Sequence, residues 1–360
     1  MTIKRVNFDF CYLFLSGIML AGMYCFPEIV REAASNGISI CLKKIIPTLL
    51  PYIIATKMFS LFLLKISVTN PHFSKIKPDV LILLSGNISG FPNGAVLTSN
   101  FYKSGAISKK KAEIIISCSN SISPAFCISV FGADVLNRGI YGIITFISII
   151  AVNISLYLLQ TRAMNDENNT ISISHGNKSY SSLITSAITE GFEIIIDVCA
   201  FVVYFFTIGS IFHTIMTFAG LEGTVLDSAV CSVLEITGGI EQLKNLKYGT
   251  RFILGNAAMG FGGLSAIMQV LSVCNNDGLS SRRFLFAKII SLFAVPVISF
   301  IILYLIPENV LAGSLSSAYQ IIQSWLNKDK IILFGSLLIA IIAIIVINNR
   351  KENKKSKIFL

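Results

Sequence analysis

Apolar runs long enough for a membrane-crossing helix, about 20 residues, recur at 10–27, 45–64, 139–160, 194–219, 284–306 and 331–348. Residues 112–131 and 224–240 are apolar too, but with more polar positions, and predict weaker spans. Residues 80–100 and 252–273 have the length and are interrupted. The pattern predicts an all-α polytopic membrane protein. The first run lacks an A-x-A cleavage site and reads as a retained anchor, residues 1–34. The polar stretch 161–182, "TRAMNDENNTISISHGNKSYSS", separates two halves, 35–160 and 183–306. Residues 307–360 hold a segment suited to the interface (308–327), the last apolar run and a basic tail.

The interruptions resemble one another. "GNISGFPNGA" (86–95) and "GNAAMGFGGLSA" (255–266) share Gly-Asn, a spacer, Gly-Phe and further glycine. Downstream, "GAISKKKAEIIIS" is matched by "GLSSRRFLFAKIIS". Pro124 and Pro296 each follow the serine of that motif, Ser108 or Ser280, by sixteen residues. The match predicts two related halves in which 86–100 and 255–269 are partner elements, re-entrant or broken, meeting near the membrane midplane. Broken backbone is tolerated at that depth only when buried in protein or lining a wet cavity. Interrupted segments in corresponding places point to the binding site of a secondary transporter. A pair of ordinary loops outside the membrane is the alternative.

Candidate substrate-binding residues follow from those breaks and the polar groups near them. The first break supplies Asn87, Ser89, Gly90, Phe91, Asn93 and Gly94, and the second Asn256, Gly260, Phe261, Gly262, Gly263, Ser265 and Gln269. "SCSNSISPAF" (117–126) adds Asn120 and Ser121 ahead of Pro124, which frees a carbonyl one turn upstream. "LEITGG" (234–239) places Glu235 and Thr237 before two helix-breaking glycines. An ionisable group at membrane depth costs about 2.5–3.5 kcal/mol on insertion scales, so Glu235 is a candidate for ion coupling. Structural serine–backbone bonds are the alternative for the serines, and a salt bridge for Glu235.

Composition agrees with the pattern. Of 360 residues 54% are hydrophobic and 13% charged, against about 25% charged in soluble domains. The net charge of +10 sits in short loops and in the tail (Arg350, Lys351, Lys354, Lys355, Lys357). That distribution predicts a cytoplasmic tail and no nucleic-acid partner. No two of the eight cysteines have CxxC spacing, so they read as small buried hydrophobes, with no metal site or cofactor expected. There is no HExxH, GxSxG or phosphate-binding loop with its lysine, so no enzyme is expected.

Four segments in order, "SGFPNGAVLTSNFYKSGAISKKKAE", "CSNSISPAFCISVFG", "LEITGGI" and "GFGGLSAIMQVLSV...GLS", resemble the signature segments of the YlbJ/SpoVV sporulation integral membrane proteins. That family belongs to the group carrying nucleoside-recognition, or "Gate", domains. The resemblance covers about residues 35–306. It implies export of dipicolinic acid from the mother cell across the outer forespore membrane of a sporulating bacterium. It also implies a distant likeness to the hairpins and broken helices of concentrative nucleoside transporters, with Gate-like repeats at 35–160 and 183–306. By that likeness residues 90–94 and 260–263 are the two tips, and Asn120 and Glu235 to Thr237 the ligands on interrupted helices. The chain departs from the family at Ser123 (usually glycine), Phe91 (commonly tyrosine) and Val96 (often basic). The alternatives are a sporulation scaffold or signalling component and a carrier of nucleosides or other metabolites. A homo-oligomer is left open.

Overall fold

The computed structural model describes residues 8–69, 78–162 and 180–305. Most of the polar linker lies outside them, as do the expected interfacial segment, last span and basic tail. The described residues are helical, with no strand among them. Among the described residues four stretches are long and apolar enough to cross a membrane: Gly139–Arg162, Tyr180–Phe218, Tyr248–Asn276 and Arg282–Leu305. A bent pair, Leu13–Cys25 with Pro27–Ile45, adds a fifth if taken as one span.

The helices are α1 (Phe8–Cys25), α2 (Pro27–Ile40), α3 (Ile46–Thr69), α4 (Pro78–Ser89), α5 (Asn93–Lys103), α6 (Lys109–Cys118) and α7 (Gly139–Arg162). They continue with α8 (Tyr180–Phe218), α9 (Val225–Leu234), α10 (Ile236–Gln242), α11 (Tyr248–Phe261), α12 (Leu264–Asn276) and α13 (Arg282–Leu305). A π-helical turn, Cys41–Ile45, joins α2 to α3, and a longer π-helical stretch, Phe126–Val135, follows α6.

The outer surface is inside out relative to a soluble protein. On α13 the exposed positions include Phe286, Ile289, Phe293, Val297, Phe300 and Tyr304, one stripe at helical spacing. Its buried face carries Phe284, Ala287, Lys288, Ser291, Val295 and Ser299. Large apolar groups outward and small or polar groups inward suit lipid outside and helix contacts inside. Pro296 lies within α13, which continues through it.

Two pieces of the chain fold back on themselves. Between α4 and α5 the backbone turns at residues 90–92, with Gly90 at φ 82° and a cis Phe91–Pro92 bond. The arms touch so closely that a methyl group on Gly86 would sit 2.7 Å from the Gly94 Cα. α9 and α10 turn at Glu235, and a methyl group on Gly239 would sit 2.2 Å from the Ser232 Cα. By contrast α6 with its π-helical continuation, and α11 with α12, do not fold back. Each is interrupted midway, at 119–123 and at 262–263, and of the two Tyr248–Asn276 is long and apolar enough to cross a membrane.

Several expectations need correction. Residues 112–131 and 224–240 are not continuous helices: the first breaks at 119–123 and the second folds back at Glu235. Gly238 and Gly239 do not break a helix; they lie inside α10, where the missing side chains admit α9 and, at Gly238, the ring of Phe206. The two glycine-rich motifs sit on unlike elements, residues 86–95 at the tip of a folded-back hairpin and 255–266 at the break of a span. Residues 260–263 therefore form no hairpin tip. Pro124 restarts the helix after the break at 119–123, whereas Pro296 lies inside an unbroken helix. The helix expected at 194–219 begins at Tyr180, because Leu183, Ala187 and Gly191 form a buried stripe. Gly191 on that stripe meets Ile54 of α3.

α2–α3 and α8 run antiparallel. Gly37 meets Val203, the Cys41 thiol donates to the Cys199 carbonyl (3.8 Å), Ile54 meets Gly191, and Lys57 pairs with Glu190. α7 and α13 are also antiparallel, with Ser148 bonded to Ser299 (2.9 Å) and Gln160 to Arg283 (3.4 Å). The main core, around Phe131, Ile115, Phe284 and Val270, takes in α7 and α13, whereas α3 and α8 share a separate cluster around Ile53, Ile195, Val198 and Val202.

Candidate binding cavity

The two folded-back tips and the two span breaks meet. The Phe91 N–H donates to the Ser121 carbonyl (3.0 Å), joining the first tip to the first break. The Phe91 ring lies against Gly262, where a methyl group would be 2.9 Å from ring carbons, joining that tip to the second break. A methyl group on Gly263 would be 3.2 Å from the Ile236 nitrogen, so the second break abuts the second tip. Gly262 (φ 93°) and Gly263 (φ 82°) both hold the left-handed region. There a side chain is disfavoured, and the glycines end α11 and restart the chain as α12.

Around this junction lies a cavity of about 420 Å³, within the usual range for small-molecule sites. Gly90 and Phe91 line it from the first tip and Ile122 to Phe126 from the first break. Glu235 to Thr237 line it from the second tip, and Ser265, Ala266 and Gln269 from the second break. Leu49, Tyr52, Val198 and Val202 form an apolar side from α3 and α8. Lys43, Lys44, Asp134 and Glu241 bring charge to the wall.

Two helix starts face the cavity. α12 begins there with no side-chain cap. The helix after the first break starts at Pro124, with the Phe126 N–H donating to the Ser123 hydroxyl (3.4 Å). Helix N-termini offer N–H groups and partial positive charge to an anion. The Ser265 hydroxyl, on the first turn of α12, is buried with no hydrogen-bond partner. Glu235 is 3% exposed and caps α10, accepting the Gly238 N–H (2.8 Å). The Thr237 hydroxyl is turned to the same carboxylate. A cap, rather than a salt bridge, is the interaction the structure gives this carboxylate.

Of the residues singled out from the sequence, Gly90, Phe91, Glu235, Thr237, Ser265 and Gln269 line the cavity. None of Asn87, Asn93, Asn120 and Asn256 lines it, and all but Asn93 bond neighbouring segments. Asn87 bonds Leu83, Cys118, Ser121 and Asn153. Asn120 receives the Ala95 N–H and donates to the Ile116 carbonyl. Asn256 donates to Phe252 and accepts from Thr145 and Ser299. Ser89 bonds the Ser85 carbonyl (2.7 Å). Asn93 is buried with its Nδ2 unpaired. Gly94 and Gly260 permit close approach to the carbonyls of Ser119 and Ser291. Phe261 packs half-buried against the core.

Sequence reasoning missed Lys43, Lys44, Tyr52 and Asp134 on the wall, and Lys288 behind it. Lys288 is 2% exposed, donates to the Asn120 carbonyl (2.5 Å) and lies 4.8 Å from the centre of the Phe91 ring. The only advance signal was a lysine one turn into a long apolar run, which resembles a loop charge. Comparison with family models, characterised proteins and solved structures finds no match to this chain.

Proposed function

We propose that this chain is a secondary carrier for a small aromatic dianion, and that the dianion is dipicolinate moving from the mother cell across the outer forespore membrane. One observation carries the reading: two folded-back tips and two interrupted helices meet at a single cavity faced by two helix starts. Broken backbone at membrane depth has this use in transporters. The four motifs resembling the YlbJ/SpoVV segments supply the substrate.

The same order of elements occurs twice: long helix, folded-back hairpin, broken span, long helix. The corresponding long helices run antiparallel. We read the halves as an inverted Gate-like repeat, α2–α7 against α8–α13, in place of the register implied by the two Gly-Asn motifs. Phe91 then stacks on the pyridine ring. The first-turn N–H groups of α12 and of the helix at Pro124, with Ser265 and Gln269, hold the two carboxylates. Glu235 and Thr237 form the ion-coupling site, and Lys43 and Lys44 attract the dianion to the wall.

The test is uptake of dipicolinate by proteoliposomes containing the purified chain, beside spores of a deletion strain. Saturable uptake and spores depleted of dipicolinate, with mother-cell synthesis intact, support the reading. Folded protein that moves no dipicolinate, together with normal spores, overturns it.

A further inference from the structure

We propose that His213, Asp227 and Cys231 form a binding site for a divalent transition ion, zinc by the chemistry of the donors. The site is distinct from the cavity. His213 comes from α8, and Asp227 and Cys231 from α9, where the i, i+4 spacing puts both on one face. The His213 Nδ1 lies 3.0 Å from each oxygen of Asp227. The Cys231 Sγ lies 3.8 Å from Asp227 Oδ1, and the three ligand atoms fall within 4.8 Å of one another. Zinc bonds of about 2.0–2.3 Å to nitrogen, oxygen and sulfur give tetrahedral edges of about 3.3–3.6 Å. The observed separations bracket that range, so an ion needs only small side-chain adjustments.

A second feature points to the same place. The Gln242 side chain on α10 reaches the Cys231 thiol, and its Oε1 is buried without a hydrogen-bond partner. The amide is symmetric in shape, so turning it over brings that oxygen toward the cluster. There it takes the fourth corner or holds a water in it. Nitrogen, oxygen and sulfur donors together suit zinc, whereas calcium and magnesium take oxygen alone. The Asp227 side chain is 1% exposed and that of His213 35%, so the ligands are held in protein with one open side for entry. The sequence hid the cluster because its ligands stand fourteen and four residues apart on two helices.

The rival is a His–Asp ion pair clipping α9 to α8, with the thiol donating to the Gly209 carbonyl (3.8 Å). An ion would make that clip rigid one helical turn before Glu235, whose N–H bonds the Cys231 carbonyl.

The experiment uses the full chain in detergent, stripped with a chelator and titrated with Co²⁺, then with Zn²⁺ in competition. We expect one equivalent to bind with a thiolate-to-cobalt charge-transfer band. Cys231→Ser should remove the band. Cys231→Ser and His213→Gln should each weaken zinc by more than about 100-fold, and Gln242→Ala by about 10-fold. Metal-free melting separates lost ligation from lost folding, and half-buried His213 gives a variant that does not disturb the interior. No saturable cobalt band, or zinc affinity unchanged in His213→Gln, overturns the proposal.

Discussion

Replacing Asn87 with alanine tests whether the buried asparagines bind ligand or bind the fold. Asn87 fills all four of its side-chain hydrogen-bonding positions. Its amide donates to the carbonyls of Leu83 (2.8 Å) and Cys118 (3.0 Å). Its oxygen accepts from Ser121 (3.0 Å) and Asn153 (2.7 Å). The substitution leaves Ser121 a fallback, the Asn87 backbone carbonyl at 3.3 Å. The Leu83 carbonyl is a helical position. The Cys118 carbonyl and the Asn153 amide lose their partner inside protein. Each buried orphan costs about 1–3 kcal/mol in soluble proteins. Side-chain bonds in membrane proteins average nearer 0.6, with a maximum near 1.7, because the unfolded chain in the bilayer also finds partners. Two orphans between those scales give a destabilisation of about 2–4 kcal/mol. The assay is thermal unfolding in detergent, with dipicolinate binding measured well below the transition. Asn87→Ala should melt earlier and still bind where it is folded. A variant that melts with the parent and has lost the ligand would refute the assignment and make Asn87 a contact residue.

Four further outcomes follow from the same geometry. Gly94→Ala puts a methyl group 2.0 Å from the Ser119 carbonyl oxygen, a backbone atom, and should abolish folded protein in size-exclusion profiles. Gly139→Ala, whose nearest neighbour is a side-chain methyl at 3.6 Å, should be tolerated. Glu235→Gln keeps an oxygen for the Gly238 N–H and removes the charge. It should leave abundance normal and abolish uptake in proteoliposomes, and normal uptake would remove Glu235 from the coupling. Lys288→Met removes a buried ammonium that has one carbonyl and two rings around it. Burying such a charge costs several kcal/mol and a single charged bond returns about 1.5–3, so the melting temperature should rise.

Hydropathy made the membrane class and the long helices α1, α3, α7 and α13 legible, because a lipid-facing stripe is a composition as well as a pattern. Glycine and proline located both the first tip and the second break. What they did not reveal is whether arms fold back or continue, since the same residues serve either end. At Gly238 and Gly239 the glycines mark close helix packing, not a bend. The break falls at Glu235, whose side chain caps the next helix, a signal readable as an acidic N-cap. Cavity residues such as Tyr52 and Asp134 come from elements distant in sequence, and nothing local distinguishes them. The asparagines are an ambiguous signal for a physical reason. A polar amide in an apolar run must be satisfied, and neighbouring helices satisfy it as well as a ligand does.

The hydroxyl and amide cluster between α7, α11 and α13 has a mechanical meaning. Thr145 and Ser299 both donate to Asn256, and Ser299 also bonds Ser148. Sliding α7 past α13 would strand these groups in a dry interface. The α2–α3 and α8 interface is built differently: Gly37 against Val203 and Gly191 against Ile54 are contacts between apolar groups, and Lys57 with Glu190 is an ion pair across it. For the proposed carrier function, α7, α11 and α13 therefore move as one body, a stator against which other elements shift.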